Sequence, residues 1–365
     1  MKEPIGIKQI AKMADVSIGT VDRVLHNRPG VSSRTQERVR SIIKTTGYKR
    51  NAMASRLKLA ANKKIKLAVL IPEVSHAWSY WEIPKKGIDR AVGELNELGI
   101  EVDYYYFSGP QGFREEIHKI IALDYKGLVT VSFFKDESNL LLALAKAKKM
   151  SVVFLDTEIA LDGPTNFIRQ NAHQAGMVAA RLLFGLVGEK GLYIVINIAH
   201  AHGLHANNQQ RENGFREFFN SNFSERPIAI KTFNHPLDNT FELSEAIETA
   251  LMDKRPKGIF VTNARSYMMP PVLKSLGVKN ASLLGFDLNQ MNVECLQKGE
   301  LNFLIDQKPE YQGYSAIKGL FNYHTQQSDC EPNIDIPIEI IVRENCPPLD
   351  DPIVAHPHPI SNRIN

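Results

Sequence analysis

The sequence predicts an α/β chain in two unequal parts: an N-terminal three-helix head and a larger body of two Rossmann-like lobes. Three observations carry this. Charge is split along the chain: residues 1–64 hold 15 Lys/Arg against 4 Asp/Glu, a formal +11, while residues 65–365 carry −7, so the net +4 is an average. Short stretches of helical periodicity fill the basic part. From Ile65 onward, apolar runs alternate with longer helical patterns, the sign of strands and helices in parallel-sheet order. A chain of 365 residues suits two to three domains, and about 280 residues of α/β pattern suit two lobes better than one.

Composition narrows the function classes. At 43% hydrophobic and 23% charged residues the chain is not a disordered one. No apolar run approaches the roughly 18 residues of a membrane span, and Met1-Lys2-Glu3-Pro4 does not open a secretory signal. The cysteines Cys295, Cys330 and Cys346 have neither metal-ligand spacing nor the number for a disulfide framework. A reducing cytoplasm is the expected compartment. A basic head on an acidic body points to a polyanion partner for the head, because nucleic-acid affinity rests mainly on phosphate neutralisation.

In the head, Ile7, Ile10, Ala11 and Ala14 fall on one helical face. Asp15-Val16-Ser17 interrupts them, with Ser17 placed to cap a second helix whose inner face is Val21, Val24 and Leu25. His26 to Val31, containing Pro29-Gly30, reads as a loop. Ser32 or Ser33 caps a third helix with Val39, Ile42 and Ile43 inward, ended by Thr46-Gly47. Two short helices joined by a three-residue turn form a helix-turn-helix, whose second helix enters the major groove N-terminus first. The residues presented there are Ser17, Ile18, Gly19, Thr20, Asp22 and Arg23. Arg23 is the best base reader, since a guanidinium bonds guanine O6 and N7 together. Ser17, Thr20, Ser32 and Thr35 are short hydroxyl donors suited to phosphates.

The run Ile7-Lys-Gln-Ile-Ala-Lys-Met-Ala-Asp-Val-Ser-Ile-Gly-Thr-Val-Asp-Arg-Val-Leu25, continued by Asn27, Val31-Ser32, Thr35, Val39 and Gly47-Tyr48, resembles the opening of the lactose-repressor (LacI/GalR) family of bacterial transcription regulators. The segment Asn51-Ala-Met-Ala54-Ser-Arg-Leu57 resembles that family's hinge helix. The resemblance implies DNA contacts by Asn51 and Ala54 and a minor-groove wedge at Leu57, where an apolar side chain unstacks a base step and bends the duplex. Two departures stand out: Arg50 replaces the proline many relatives have before the hinge, and Gly19 lies where relatives often carry a base-reading side chain.

In the body, Ile65–Ile71 is a near-continuous apolar run, as in a strand covered on both faces. Ile88, Ala91, Val92 and Leu95 follow at helical spacing. Strands are expected at Val102–Phe107, Leu128–Phe133 and Val152–Leu155, the last two separated by a helix around Leu140–Ala147. The alternation recurs with Leu192–Ile196, Ile228–Phe233, Gly258–Thr262 and Leu283–Phe286. This body resembles the effector-binding part of the same family, over roughly residues 65–345, a fold shared with type I periplasmic sugar-binding proteins. The resemblance implies two lobes closing on a ligand, with three crossovers between them. The expected organisation is therefore head 1–50, hinge and linker 51–64, two-lobed body 65–345 and a disordered tail 346–365.

Ligands of open parallel sheets sit at the carboxyl ends of strands, so polar and aromatic residues there are the candidates. Trp78, Tyr80 and Trp81 follow the first strand and suit stacking on a sugar ring. Asp156 ends the Val152–Leu155 strand, Asn263 ends Phe260-Val-Thr-Asn, Asp287 ends Leu284-Gly-Phe-Asp and Gln307 ends Leu304-Ile-Asp-Gln. Arg211 opens a helix, and the resemblance gives it the task of gripping ligand hydroxyls or a carboxylate. Aromatic walls with hydrogen-bonding tips are sugar-like chemistry. Ala264-Arg265 stands where relatives usually have an aspartate, which admits an anionic sugar.

Other signals carry less. His200, His202 and His205 have imidazole-ligand spacing but no carboxylate or cysteine beside them, so no metal is expected. Asp89, Asp103 and Asp124 show no paired-acid logic, and no P-loop, G-x-S-x-G or H-E-x-x-H motif occurs. The expectation is a non-enzymatic regulator without cofactor. It would bind a pseudo-palindromic operator as a homodimer under control of a sugar-like effector. A plain solute-binding protein and a sugar-acting enzyme are the alternatives.

Overall fold

The computed structural model describes residues 7–25, 29–46, 64–73, 80–199, 206–236 and 245–347. The chain divides into two compact units, Met1–Lys63 and Lys64–Asn365. In the first, α1 (Ile7–Met13), α2 (Ile18–Leu25) and α3 (Ser33–Thr46) surround a small core of Ile10, Ala11, Ala14, Val21, Val24 and Val39. The turn between α1 and α2 works because Asp15 takes a left-handed φ of 51°, a conformation short polar residues tolerate. Each following helix has a hydroxyl cap: the Thr20 amide donates to Ser17 Oγ at 3.1 Å and the Thr35 amide to Ser32 Oγ at 3.3 Å. Such caps satisfy amides that the first helical turn leaves open.

The second unit contains two six-stranded sheets built alike. Lobe one has the strand order β11-β5-β4-β3-β1-β2 and lobe two β12-β10-β9-β8-β6-β7. In lobe one β1 is Ile65–Pro72, β2 Ile100–Phe107, β3 Gly127–Val131, β4 Ser151–Asp156 and β5 Asn166–Gln170. Its helices are α4 (Glu82–Leu95), α5 (Gly109–Ile121) and α6 (Lys135–Lys148). Lobe two repeats this with α7 (Ala172–Val187), β6 (Leu192–Ala199), α8 (Ala206–Asn222), β7 (Ala229–Pro236), α9 (Glu245–Leu251) and β8 (Lys257–Val261). It continues through α10 (Met269–Ser275), β9 (Ala281–Phe286), α11 (Gln290–Gln297) and β10 (Phe303–Asp306). The chain then returns to lobe one for α12 (Pro309–His324) and β11 (Ile334–Ile336), and back to lobe two for β12 (Glu339–Ile341).

All strand pairs are parallel except β10 with β12. Helices on both faces explain the apolar runs: every residue of β3 and β8 is buried. Along β6, Leu192, Ile194, Ile196 and Ile198 enter one core layer and Tyr193 and Val195 the other, the two-residue period of a strand. Three segments cross between lobes, at residues 170–172, 306–309 and 336–339. Gln170 ties all three, its Nε2 donating to the Asp306 carbonyl at 3.0 Å and the Pro337 carbonyl at 3.1 Å.

The polar strand β5 and the short β11 and β12 were not among the expected strands. Asn-Phe-Ile-Arg-Gln carries a charged residue and lacks the apolar run of its neighbours, because β5 lies towards the sheet edge and Arg169 pairs outward with Glu158 and Asp335. Among the described residues no helix is long and apolar enough to cross a membrane. The three cysteines are free.

Candidate functional site

The site begins with a duplicated backbone feature. Asp156 is the last residue of the fourth strand of lobe one, Asp287 comes directly after the fourth strand of lobe two, and each has a left-handed φ, 65° and 67°. Non-glycine residues hold that conformation at a cost, and it concentrates at functional sites. In both lobes it turns a carboxylate out of the strand line at the carboxyl edge of the sheet. Asp156 Oδ1 accepts from the Tyr80 hydroxyl at 2.8 Å, and Oδ2 accepts from Thr157 Oγ1 at 2.9 Å. Asn207, on the first turn of α8 in lobe two, donates to Asp156 Oδ2 at 3.1 Å and so bonds one lobe to the other. Burial, and then Asp156 beside it, push the Tyr80 hydroxyl well above the usual phenol range. Tyr80 is therefore a neutral donor.

Arg211 is only 3% exposed. Its guanidinium lies 3.7 Å from the centroid of the Phe286 ring, donates to the Thr262 carbonyl at 2.7 Å, and donates to Gln307 Oε1. Its Nε is buried without a hydrogen-bond partner among the described residues. Desolvation lowers its pKa, opposed by Asp156 and Asp287, and guanidinium stays charged across any working pH. Gln307 Nε2 donates to both oxygens of Asp287, at 3.0 and 2.9 Å. Burial raises Asp287 to about 7, with Arg211 pulling the other way.

Two helix crossings set these groups. A Cβ on Gly176 of α7 would lie 1.9 Å from the Arg211 carbonyl oxygen, and one on Gly214 of α8 would lie 1.9 Å from the His173 carbonyl. The helix carrying Arg211 thus touches α7 backbone to backbone. Lobe one repeats the device between α4 and α12: a Cβ on Gly87 would meet the Glu310 carbonyl at 1.8 Å, and one on Gly313 the Pro84 carbonyl at 2.1 Å. Next to Gly313, Gln312 receives the Asp156 amide at 2.9 Å and donates to the Gln307 carbonyl at 2.9 Å. A hydrogen-bonded chain therefore runs from Asp156 in lobe one, through Gln312 and Gln307 at a crossover, to Arg211 and Asp287 in lobe two.

The structure brings together Tyr80, Asp156, Arg211, Asp287 and Gln307. Trp81 is 8% exposed and joins the lobe-one core, edge-on to Tyr80 at 5.1 Å and near Phe133 at 5.7 Å, so it packs behind Tyr80. Arg211 sits on the second turn of α8, five residues past its start, where the sequence reading had it open the helix. Asn263 is a loop brace, donating to the Ile198 carbonyl at 2.8 Å. Trp78, His200, His202 and His205 lie outside the described residues, as do Asn51, Ala54 and Leu57 of the hinge. Sequence reasoning missed Asn207, Gln312, Phe286 and Thr262. Only Gln312 had a signal, a polar residue before a glycine on a helix after a crossover; the others are recognised by what they touch.

In the head, Ser17, Ile18, Gly19 and Arg23 are exposed on the outer side of α2, and Thr20 and Asp22 are half-buried. Ile18 is 45% exposed, an apolar side chain left out of the core. Ser17 and Thr20 hydroxyls pair at 2.9 Å, as do those of Ser32 and Thr35. Among the described residues no cluster of three or more histidines, cysteines and carboxylates could hold a metal ion.

Comparison with known proteins agrees with both parts. The family of bacterial regulatory proteins, lacI family, matches residues 6–51, and the periplasmic binding protein domain family matches residues 67–327. The HTH-type transcriptional repressor PurR of Histophilus somni is 24% identical over 355 residues, 93% of this chain and 98% of that one. The HTH-type transcriptional regulator AglR of Rhizobium meliloti is 27% identical over 191 residues, and that match spans only half the length of either chain. A solved chain described as a LacI transcriptional regulator from Bacteroides fragilis superposes with a TM-score of 0.70 at 24% identity, covering 78% of this chain and 98% of that one. The chain belongs to the lacI family of bacterial regulators and carries a periplasmic-binding-protein-type body as its effector domain.

Proposed function

We propose that this protein is a sequence-specific DNA-binding repressor whose operator affinity is set by a small polyhydroxylated ligand held between the lobes of its body. One observation carries the reading. The chain that bears an exposed helix-turn-helix face also bears two lobes hydrogen-bonded to each other through the strand-end groups, Asn207 on Asp156 and Gln170 on Asp306. Hydroxyl-rich ligands suit neutral donors and acceptors around a buried guanidinium, and Tyr80, Asn207, Gln307 and Asp287 supply those.

On the DNA side, Arg23 is the guanine reader and Ile18 meets a thymine methyl, the apolar contact of the major-groove code. A single helix-turn-helix covers one half-site, so a pseudo-palindromic operator calls for a homodimer. Control is linkage: a ligand that binds one lobe arrangement better shifts the population towards it, and the operator selects between the same arrangements. The protein works in the cytoplasm, where its operator is. The test is fluorescence anisotropy on duplexes selected from a random pool. A selected duplex should bind at least about a thousandfold tighter than a scrambled one at roughly 0.15 M salt. Equal affinities would refute a sequence-specific role.

A further inference from the structure

Arg265 stands apart from the other half-buried arginines of the body. Arg90 pairs with Glu310, Arg169 with Glu158 and Asp335, and Arg216 with Glu212. Arg211 feels both Asp156 and Asp287. Arg265 is half-buried, yet among the described residues its guanidinium has neither an ion pair nor a hydrogen bond, and the only group acting on its charge is the Tyr267 phenol. Burial alone pushes its pKa down. A partly desolvated cation without an anion is costly unless something brings one.

Its position makes that something a ligand. Arg265 lies three residues past Thr262, whose carbonyl accepts from Arg211, at the carboxyl edge of the lobe-two sheet. The loop around it is braced on both sides. Asn263 Oδ1 accepts the Arg265 amide at 3.2 Å, and the Ala264 carbonyl accepts from Asn289 at 2.7 Å and Asn292 at 3.0 Å. Beyond it, Asn292 Oδ1 accepts from Ser266 Oγ at 2.8 Å and the Tyr267 amide at 2.9 Å. Five hydrogen bonds within five residues fix a loop whose one charged side chain is unanswered, which is how a preorganised charge site is built.

The charge inventory then selects the ligand class. Arg211 already faces two carboxylates, Asp156 and Asp287, whereas Arg265 has none acting on it among the described residues. Asp306 at the crossover also acts on Asp287, so this edge is supplied with carboxylates, and its one unanswered charge is the Arg265 cation. That matches one negative charge on the ligand.

We infer that the effector is a sugar acid, its carboxylate seated on Arg265 and its hydroxyls on the Asp156–Arg211–Asp287 groups. The inference rests on the reading of this edge as the effector site. It is tested by isothermal titration and thermal shift with matched sets in the gluco, galacto and manno series: the neutral hexose, its uronate, its aldonate and its 6-phosphate. At least one uronate or aldonate should bind, at least tenfold tighter than its neutral parent. R265Q, with an unchanged melting temperature, should lose at least tenfold for that acid while binding the parent as before. Binding by the 6-phosphates alone, an acid no tighter than its parent, no response to any acid, or an acid affinity unmoved in R265Q overturns the proposal. A neutral hexose that binds wild type and is lost in R211A would leave the effector site standing and remove only the acid.

Discussion

At the residue scale the two strand-end aspartates decide most. Their shared left-handed φ and their place at the end of the fourth strand of each lobe show one architectural position used twice. Their environments differ. Asp156 is half-buried and has three side-chain donors, Tyr80, Thr157 and Asn207. Asp287 is 1% exposed, Gln307 is the one side chain bonded to its carboxylate among the described residues, and its pKa rises from 3.8 to about 7. Asp306, buried at the crossover, rises to about 6. For a carboxyl raised on folding, the native state keeps a proton that the unfolded chain has released. Stability is therefore fullest below the unfolded value and falls as pH rises through the folded one. The ligand-free protein should lose stability between pH 5 and 7.5. D287N should remove roughly 2–3 kcal/mol of that loss, with Asp306 supplying a remaining slope. Urea midpoints at the two pH values measure it, and an identical loss in D287N would mean Asp287 is ionised throughout. Polar residues at strand ends were legible because strand ends in parallel sheets are where ligands go. The packing of Trp81 was not legible, because an aromatic near a strand end reads the same whether it faces a ligand or packs on Tyr80 and Phe133.

At the element scale, the strands of both sheets were readable wherever helices cover both faces, since double burial writes an unbroken apolar run. The strands β5, β11 and β12 lie at or near sheet edges and carry no long apolar run, and the alternation Ile334-Asp335-Ile336 is too short to stand out. The helix crossings that aim Arg211 and Gln312 were also invisible. A glycine in a helical pattern does not say which backbone it admits, and Gly176 and Gly214 acquire meaning only when α7 and α8 are seen in contact. This gives a paired prediction within one helix. Gly176→Ala forces a Cβ onto the Arg211 carbonyl and should cost about 1–3 kcal/mol. Gly185→Ala, in the same helix with nothing within 4 Å of its Cβ position, should stabilise by roughly 0.5–1 kcal/mol. Thermal melts of the two variants should move in opposite directions. A melting temperature for Gly176→Ala at or above wild type would show that the α7–α8 contact does not hold Arg211 where it lies.

At the scale of the whole molecule, the +11 and −7 halves of the charge correspond to different work. The head offers an outer α2 face with Arg23 and Ile18 and a small apolar core. The body keeps Arg211, Asp287 and Asp306 buried, in a network that joins one lobe to the other. That division was readable from sequence because charge and periodicity change together near residue 64. The coupling between the lobes was not, because Asn207–Asp156 and Gln170–Asp306 join residues 51 and 136 positions apart whose proximity only the fold creates. The central claim is that ligand between the lobes changes DNA affinity. The direct measurement is an anisotropy titration of a selected operator with and without a saturating ligand found by thermal shift, in wild type and in R211A. The account predicts at least a fivefold shift of the wild-type midpoint, and no shift in R211A, whose ligand-free midpoint matches wild type. A wild-type midpoint unmoved by a ligand that demonstrably binds would contradict it.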